Sequence, residues 1–339
     1  MPHAYLTLLT LFGWVARPSG HLAALEQQSD GAITPPSTML HHVSYLAAVQ
    51  PEPKALLEVQ DDKAPQPGHD ELLIKNELIA LVPIDAKQIK LSLFPSQYPA
   101  IHGTSYGGTV AAVGSDVTGF KVGDKVAASK AGGAVGNKYG GFQEYVVSRE
   151  ATASKVPASV DLSIPVDLIG NLSSVVGLFN EHLGLGRPNP VGRASSKQQE
   201  DSGLRRNVQF RQPRDAVRHP GRVPSRHHDF PTTQGPRGEA RSPRHRGGGK
   251  IYALLPAPDP SSIPEGVTAE CARWSAPLGK KENAELLKWA YGTYFPQAIA
   301  NDKLVTLHSQ RIAGGLGGLN KAVDALFKGV SGAKVVVEL

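Results

Sequence analysis

A carboxylate and an ammonium stand two residues apart in Val82-Pro83-Ile84-Asp85-Ala86-Lys87. Elsewhere the chain offers the phenols of Tyr98, Tyr106 and Tyr139 and the adjacent hydroxyls of Ser173 and Ser174. Such groups hold or move protons, and they polarise a carbonyl oxygen on which negative charge develops. Metal chemistry finds fewer ligands. The single cysteine, Cys271, excludes a thiolate zinc cluster and an internal disulfide. His41-His42 and His227-His228 are adjacent pairs. Neighbouring residues of a strand point to opposite faces, so such pairs rarely share one ion, and no metal is assigned. Every candidate has an ordinary role beside the chemical one. Lys87 serves as a solvated lysine, Asp85 as a turn cap, Ser173 and Ser174 as helix N-caps, and the tyrosines as buried packing.

The elements that must position these groups centre on residues 98–147. Thr109 to Val113, Lys125 to Ala128 and Tyr145 to Val147 are short apolar runs bounded by Gly, Asp and Ser, which predicts strands joined by tight turns. Val122-Gly123-Asp124 is a turn in which Gly supplies an unusual φ and Asp bonds its own backbone. Upstream, His41 to Gln50 reads as a first strand, 64–68 as a turn, and Glu71 to Leu81 as a strand with one polar face. Downstream, Asp167 to Leu185 and Glu282 to Ile299 carry apolar residues at helical spacing, the latter through Leu286, Leu287, Trp289 and Ala290.

A chain of 339 residues with 40% hydrophobic residues and 36 glycines has length for two cored domains of a soluble enzyme. The net charge of +6 is local: residues 198–246 hold 11 Arg, no Lys and 5 acidic residues, and the rest of the chain is neutral. The basic character therefore says nothing about the enzyme-like body. Residues 4–16 form an apolar run too short to span a bilayer, without a positive segment before it or a clean cleavage site after it. An N-terminal extension is expected over a signal peptide, and lone-cysteine usage suits a reducing, cytoplasmic location.

In order, the motifs are P-x-I-x-G from Pro99, G-G-x-V from Gly107, F-x-V-G-D-x-V from Phe120 and G-G-F-Q-E-Y-V from Gly140. As a set they resemble the GroES-like catalytic domain of the medium-chain dehydrogenase/reductase superfamily. The likeness is to its zinc-free quinone oxidoreductase and fungal trans-acting enoyl reductase branch. The resemblance resumes at Gly247 to Leu255, Gly314 to Leu326 and Lys334 to Val337. It implies hydride transfer from NADPH to an activated C=C bond of a small-molecule or acyl-thioester substrate. A polyketide synthase is an implied partner, a membrane is not, and nucleic acid is disfavoured. Lys87 matches the lysine of the family's D-x-K, so catalytic roles fall to Lys87, to Asp85 as its holder, and to Tyr106 as a proton donor. Cofactor-side roles fall to Ser173, Ser174, Leu254 and Leu255. The branch usually has Asn where Val82 stands. Zinc-dependent relatives carry Cys near Ile84 and Gly-His-Glu where this chain has Gly103-Thr104-Ser105.

The resemblance breaks where a nucleotide-binding domain should begin with a strand, a Gly-rich turn and a helix N-terminus for the pyrophosphate. Residues 198–246 instead hold 8 hydrophobic residues and 6 Pro in 49, a composition expected to be disordered. Arg without Lys is what GC-rich DNA yields in a wrong frame. Dropping the first base of the Gln198 codon permits, with suitable synonymous codons, a strand, then G-G-T-S-S-F-G, then an amphipathic helix. The stretch is also shorter than a doubly wound sheet requires.

The expected architecture is therefore α/β: a GroES-like β-barrel catalytic domain with an incomplete Rossmann-type nucleotide-binding domain. Its parts are an extension over 1–40, a catalytic domain over 41–165, a truncated nucleotide domain over 166–300 and a return to the catalytic domain over 301–339. The alternative is a non-catalytic GroES-like remnant that binds a partner, or nucleic acid through its Arg-rich insert. The missing sheet should leave Val175, Val176, Leu178 and Phe179 exposed, together with Ile251, Leu254 and Leu255.

Overall fold

The computed structural model describes residues 44–190, 249–254, 260–304 and 306–339. The expectations placed on 1–43 and 198–246 lie outside them. The chain divides into two units, 204–273 and the remainder.

The larger unit is built on β3 (Glu71–Leu81). Its apolar residues are nearly continuous and both faces are covered, a correction to the one polar face expected from alternation. One edge of β3 pairs along its length with β5 (Ser105–Val113). The other edge is shared: Glu71 to Lys75 pair with β7 (Tyr145–Arg149), and Leu78 to Leu81 pair with β12 (Ala333–Glu338). The handover falls at Asn76, where the ladder with β5 shifts register and the Asn76 amide donates to the carbonyls of Gly141 and Gln143. β6 (Lys125–Ser129), β8 (Ala153–Lys155) and β11 (His308–Ile312) complete the seven-stranded sheet. A second sheet joins β1 (Ser44–Gln50) to β2 (Glu58–Lys63) and β4 (Ala100–Ile101). The Gly107-Gly108 pair is a packing requirement: a Cβ on Gly108 would run into the Lys75 carbonyl across the ladder.

Alternation along β3 and β12 supplies two cores. Ile79, Leu81, Val335 and Val337 face α1 (Pro83–Leu91) and α5 (Leu319–Lys328), meeting Ala86, Ile89, Leu319 and Val323. Leu78, Ala80 and Val336 face α2 (Ser163–Val176), α3 (Ala284–Trp289) and α4 (Phe295–Ala300), meeting Val166, Ile169, Leu286, Tyr291 and Phe295. Helices α2 and α3 each run on into a π-helical turn.

This second core corrects one expectation. Val175, Val176, Leu178 and Phe179 are buried, Phe179 being 1% exposed. The chain from Trp274 onward closes over them, so tightly that a Cβ on Gly177 would meet the Trp274 carbonyl. In the smaller unit, β9 (Gly249–Ala253) and β10 (Val267–Cys271) form a two-stranded parallel sheet that leaves Ile251 and Leu254 exposed, as expected.

Glu71 anchors the start of β3. Its carboxylate accepts from Gly68 N–H and Lys138 Nζ, both at 2.7 Å, and from the Tyr139 hydroxyl at 2.5 Å. Burial alone would raise its pKa, but the bonds from Lys138, Tyr139 and Gly68 prevail and hold it below the usual glutamate value. Because the folded carboxyl is the more acidic one, the stabilisation is present above the unfolded glutamate's titration and is lost as pH falls through the folded value. Replacement Glu71→Gln should therefore cost about 1–3 kcal/mol at pH 7. Thermal unfolding should show that cost shrinking as pH is lowered below 4.5.

Candidate active site

β3 passes into α1 through Val82, and Pro83 at the first helical position has no N–H to leave unpaired. Asp85 turns back on this junction. Its Oδ2 accepts the Val82 N–H at 3.0 Å and its Oδ1 accepts the Thr104 hydroxyl at 2.6 Å. Thr104 precedes β5, and its carbonyl accepts the Lys130 N–H at 2.9 Å, which places Lys130 beside it just past β6. Gly103, at φ +103°, sets the direction of the turn, and a Cβ there would clash with Phe142. On the other side Lys334, at the start of β12, is within electrostatic reach of both Asp85 and Asp167.

Charges thus alternate across the interior from Lys130 to Asp85, Lys334 and Asp167. Burial pushes the Asp85 carboxyl up to about 6, against the opposing pull of Thr104, the Val82 N–H and Lys130. Burial likewise lowers Lys130 and Lys334, each partly offset by its carboxylate neighbours. His102, bonded to Gln50 Oε1 at 2.7 Å, is held down to about 4 by burial and then by Lys130, and is neutral at pH 7. Asp167 is 0% exposed and raised by burial; its Oδ2 accepts from Thr306 and Ser309, while its Oδ1 has no partner.

A hydroxyl cluster lies behind α2. The Tyr291 phenol sits between Ser129 Oγ at 2.8 Å and Ser173 Oγ at 2.7 Å, and Ser154 Oγ donates to the Tyr291 carbonyl. It ties β6, β8 and α2 to the π-helical turn after α3.

The structure redistributes the residues singled out from sequence. Asp85 does not hold Lys87; both its oxygens are taken by Thr104 and Val82, and its cationic neighbours are Lys130 and Lys334. Lys87 is half-buried on α1 with no side-chain partner among the described residues. Tyr106 is 0% exposed, packs with Leu72, Ile74 and Val126 inside the sheet, and donates to the Val147 carbonyl, the packing role open to a tyrosine. Ser173 and Ser174 lie in the last turn of α2 and are not N-caps; Ser173 is engaged by Tyr291, and the Ser174 side chain has no hydrogen bond among the described residues. Leu254 is 51% exposed in the smaller unit, and Leu255 lies outside the described residues. Thr104 stood in the quoted Gly103-Thr104-Ser105, and Lys130 closes the run of β6. Neither these nor Lys334, Asp167 and Tyr291 carried a local signal, because their surroundings come from distant strands.

Residues 68–158 match the alcohol dehydrogenase GroES-like domain family. The chain is 32% identical over 143 residues to the trans-enoyl reductase traG of Penicillium crustosum, covering 41% of this chain and 36% of that protein. It is 40% identical over 111 residues to a chloroplastic quinone-oxidoreductase homologue of Spinacia oleracea, covering 30% and 32%. It spans less than half the length of the curated relatives it matches. The fold is shared with a mycobacterial structure complexed with NADPH, at TM-score 0.54 and 18% identity, covering 87% of this chain and 100% of that one.

A dinucleotide needs a glycine turn that opens onto a free helix N-terminus. In the larger unit, the described residues place such a turn between parallel strands at Gly314–Gly318, linking β11 through α5 to β12. That end is closed. The Asn320 amide exchanges hydrogen bonds with both Leu57 backbone groups at 2.9 and 2.8 Å, and Leu316 and Leu319 are buried. This turn of the larger unit therefore does not fit a pyrophosphate.

The raised Asp85 pKa has a signed consequence. From 3.8 up to about 6 the folded state binds a proton that the unfolded chain releases, so this contribution to stability is full below pH 3.8 and is lost as pH rises to about 6. In Asp85→Asn that decline should vanish. Denaturant unfolding of both proteins across the window checks it: the variant should gain relative to wild type as pH rises.

Proposed function

We propose that this chain derives from an oxidoreductase that transfers hydride from NADPH to the activated C=C bond of an enone or enoyl thioester, without zinc. The observation that supports this most is the GroES-like body itself. It retains at the start of α1 a buried carboxyl bonded to a half-buried hydroxyl with ammonium groups beside them, the equipment for meeting charge on a carbonyl oxygen. The named activities of the Penicillium and spinach relatives point the same way. Ile84 and Gly103-Thr104-Ser105 stand where zinc-dependent relatives place ligands, which supports the zinc-free reading. Lys87 is proposed to orient the substrate carbonyl and Ser174 to face the nicotinamide. Leu254 is proposed as a remnant of the cofactor side.

As written, the chain is proposed to be impaired. Residues 166–300 are read as the remains of the nucleotide-binding domain, with 198–246 carried in a shifted frame and further sequence missing. Purified protein should give no tryptophan quench and no thermal shift with NADPH. A version with the frame corrected and the missing stretch restored should bind NADPH and oxidise it in the presence of an enone. Steady enone-dependent NADPH oxidation by the present chain would refute the impairment. A restored protein that binds NADPH yet reduces no conjugated carbonyl compound would refute the assigned reaction.

A further inference from the structure

We propose that Asp85 and Thr104 form a proton relay that exchanges protons at the carbon beside a bound carbonyl, an activity this chain retains without a nicotinamide. It rests on the proposed reading of Thr104 as facing the substrate carbonyl.

Asp85 is 4% exposed, so its carboxyl meets no solvent directly. The one side-chain hydroxyl on it is that of the half-buried Thr104, 2.6 Å from Oδ1. A proton reaching Oδ1 from the Thr104 side passes through that hydroxyl. Both partners are held in place: Oδ2 is anchored on the Val82 N–H, and the Thr104 carbonyl on the Lys130 N–H. Such preorganisation suits a proton-transfer group better than a cap alone requires. The Lys130 ammonium has no hydrogen bond or ion pair among the described residues and is a half-buried positive charge beside the pair.

The step balances without an oxidant or reductant. The α-C–H bond of a ketone or acyl thioester breaks, and its proton forms an O–H bond to Thr104 Oγ1. The proton that Thr104 held passes to Asp85 Oδ1. The electron pair moves onto the carbonyl oxygen, giving an enolate beside Lys130. Reversal returns a proton to carbon, and in heavy water that proton is a deuteron. The groups around Asp85 are Lys130 beyond β6 and Lys334 on β12, with neutral His102 next to Lys130 and Asp167 beyond Lys334. The ionised carboxylate is the working base, so exchange should rise with pH and level off above about 6.

The test is deuterium incorporation at the α-carbon of S-butanoyl-N-acetylcysteamine in heavy water, followed by NMR with the full chain. Wild type should exceed buffer by about a hundredfold. Thr104→Ser should keep most of that rate, and Thr104→Val and Asp85→Asn should fall to the buffer rate. Exposed Lys303→Gln should match wild type. No exchange by wild type above buffer overturns the proposal. So does wild-type exchange in Asp85→Asn, even if Thr104→Val does not fold. NADPH binding by a restored protein is a separate measurement, and either result can fail without the other.

Discussion

The ladder between β3 and β12 is the contact on which the rest depends. Four residue pairs, Val335–Leu81 through Glu338–Leu78, join strands from opposite ends of the sequence. Both faces of that ladder are covered, one by α1 and α5 and the other by α2, α3 and α4. A slip of one residue would swap every side chain between the two cores. The same ladder brings Lys334 to Asp85 and Asp167, so the charge row of the site is a product of strand register. Asn76 protects the register by filling the gap where β7 ends and β12 begins.

Much of this architecture was legible in the sequence. The strand over Glu71–Leu81 and the strands between residues 98 and 147 follow from alternation and turn chemistry, which are local. The family motifs were legible for a similar reason: Gly103 and Gly108 mark places where the backbone can take no Cβ, and such needs leave a fixed residue type. The site was less legible. Asp85 and Lys87 are neighbours in sequence, but a helix sends residues two apart to different sides. Asp85 finds Thr104 and Lys130 at the ends of strands that the chain reaches later. Tyr106 looked like a proton donor because its type allows it, and only burial shows that it packs. Asp167 and Tyr291, inside apolar helical patterns, gave no hint of the hydroxyls that meet them.

The buried polar groups fall into two kinds. Glu71 is saturated by donors and stays ionised, which locks β3 to the turn at Gly68 and to Lys138 and Tyr139. Asp85 and Asp167 are desolvated more than they are paired, and both are driven toward the neutral form. A buried acid held near its protonated form is poised to give and take a proton. A saturated acid is not. The difference lies in donor number, since Glu71 receives a lysine directly and Asp85 receives only a hydroxyl and an amide.

The seal between Gly177 and Trp274 has a consequence for the life of the protein in a cell. Quality control reads exposed apolar surface and the fraction of chain unfolded. The seal hides Leu178 and Phe179 and returns the chain to the main core on the far side of residues 191–273. Whatever 191–273 does, the chaperones and proteases that survey this unit meet a finished surface there. A change of sequence confined between those points leaves this seal untouched, and so does not by that route add to the apolar surface on which quality control acts.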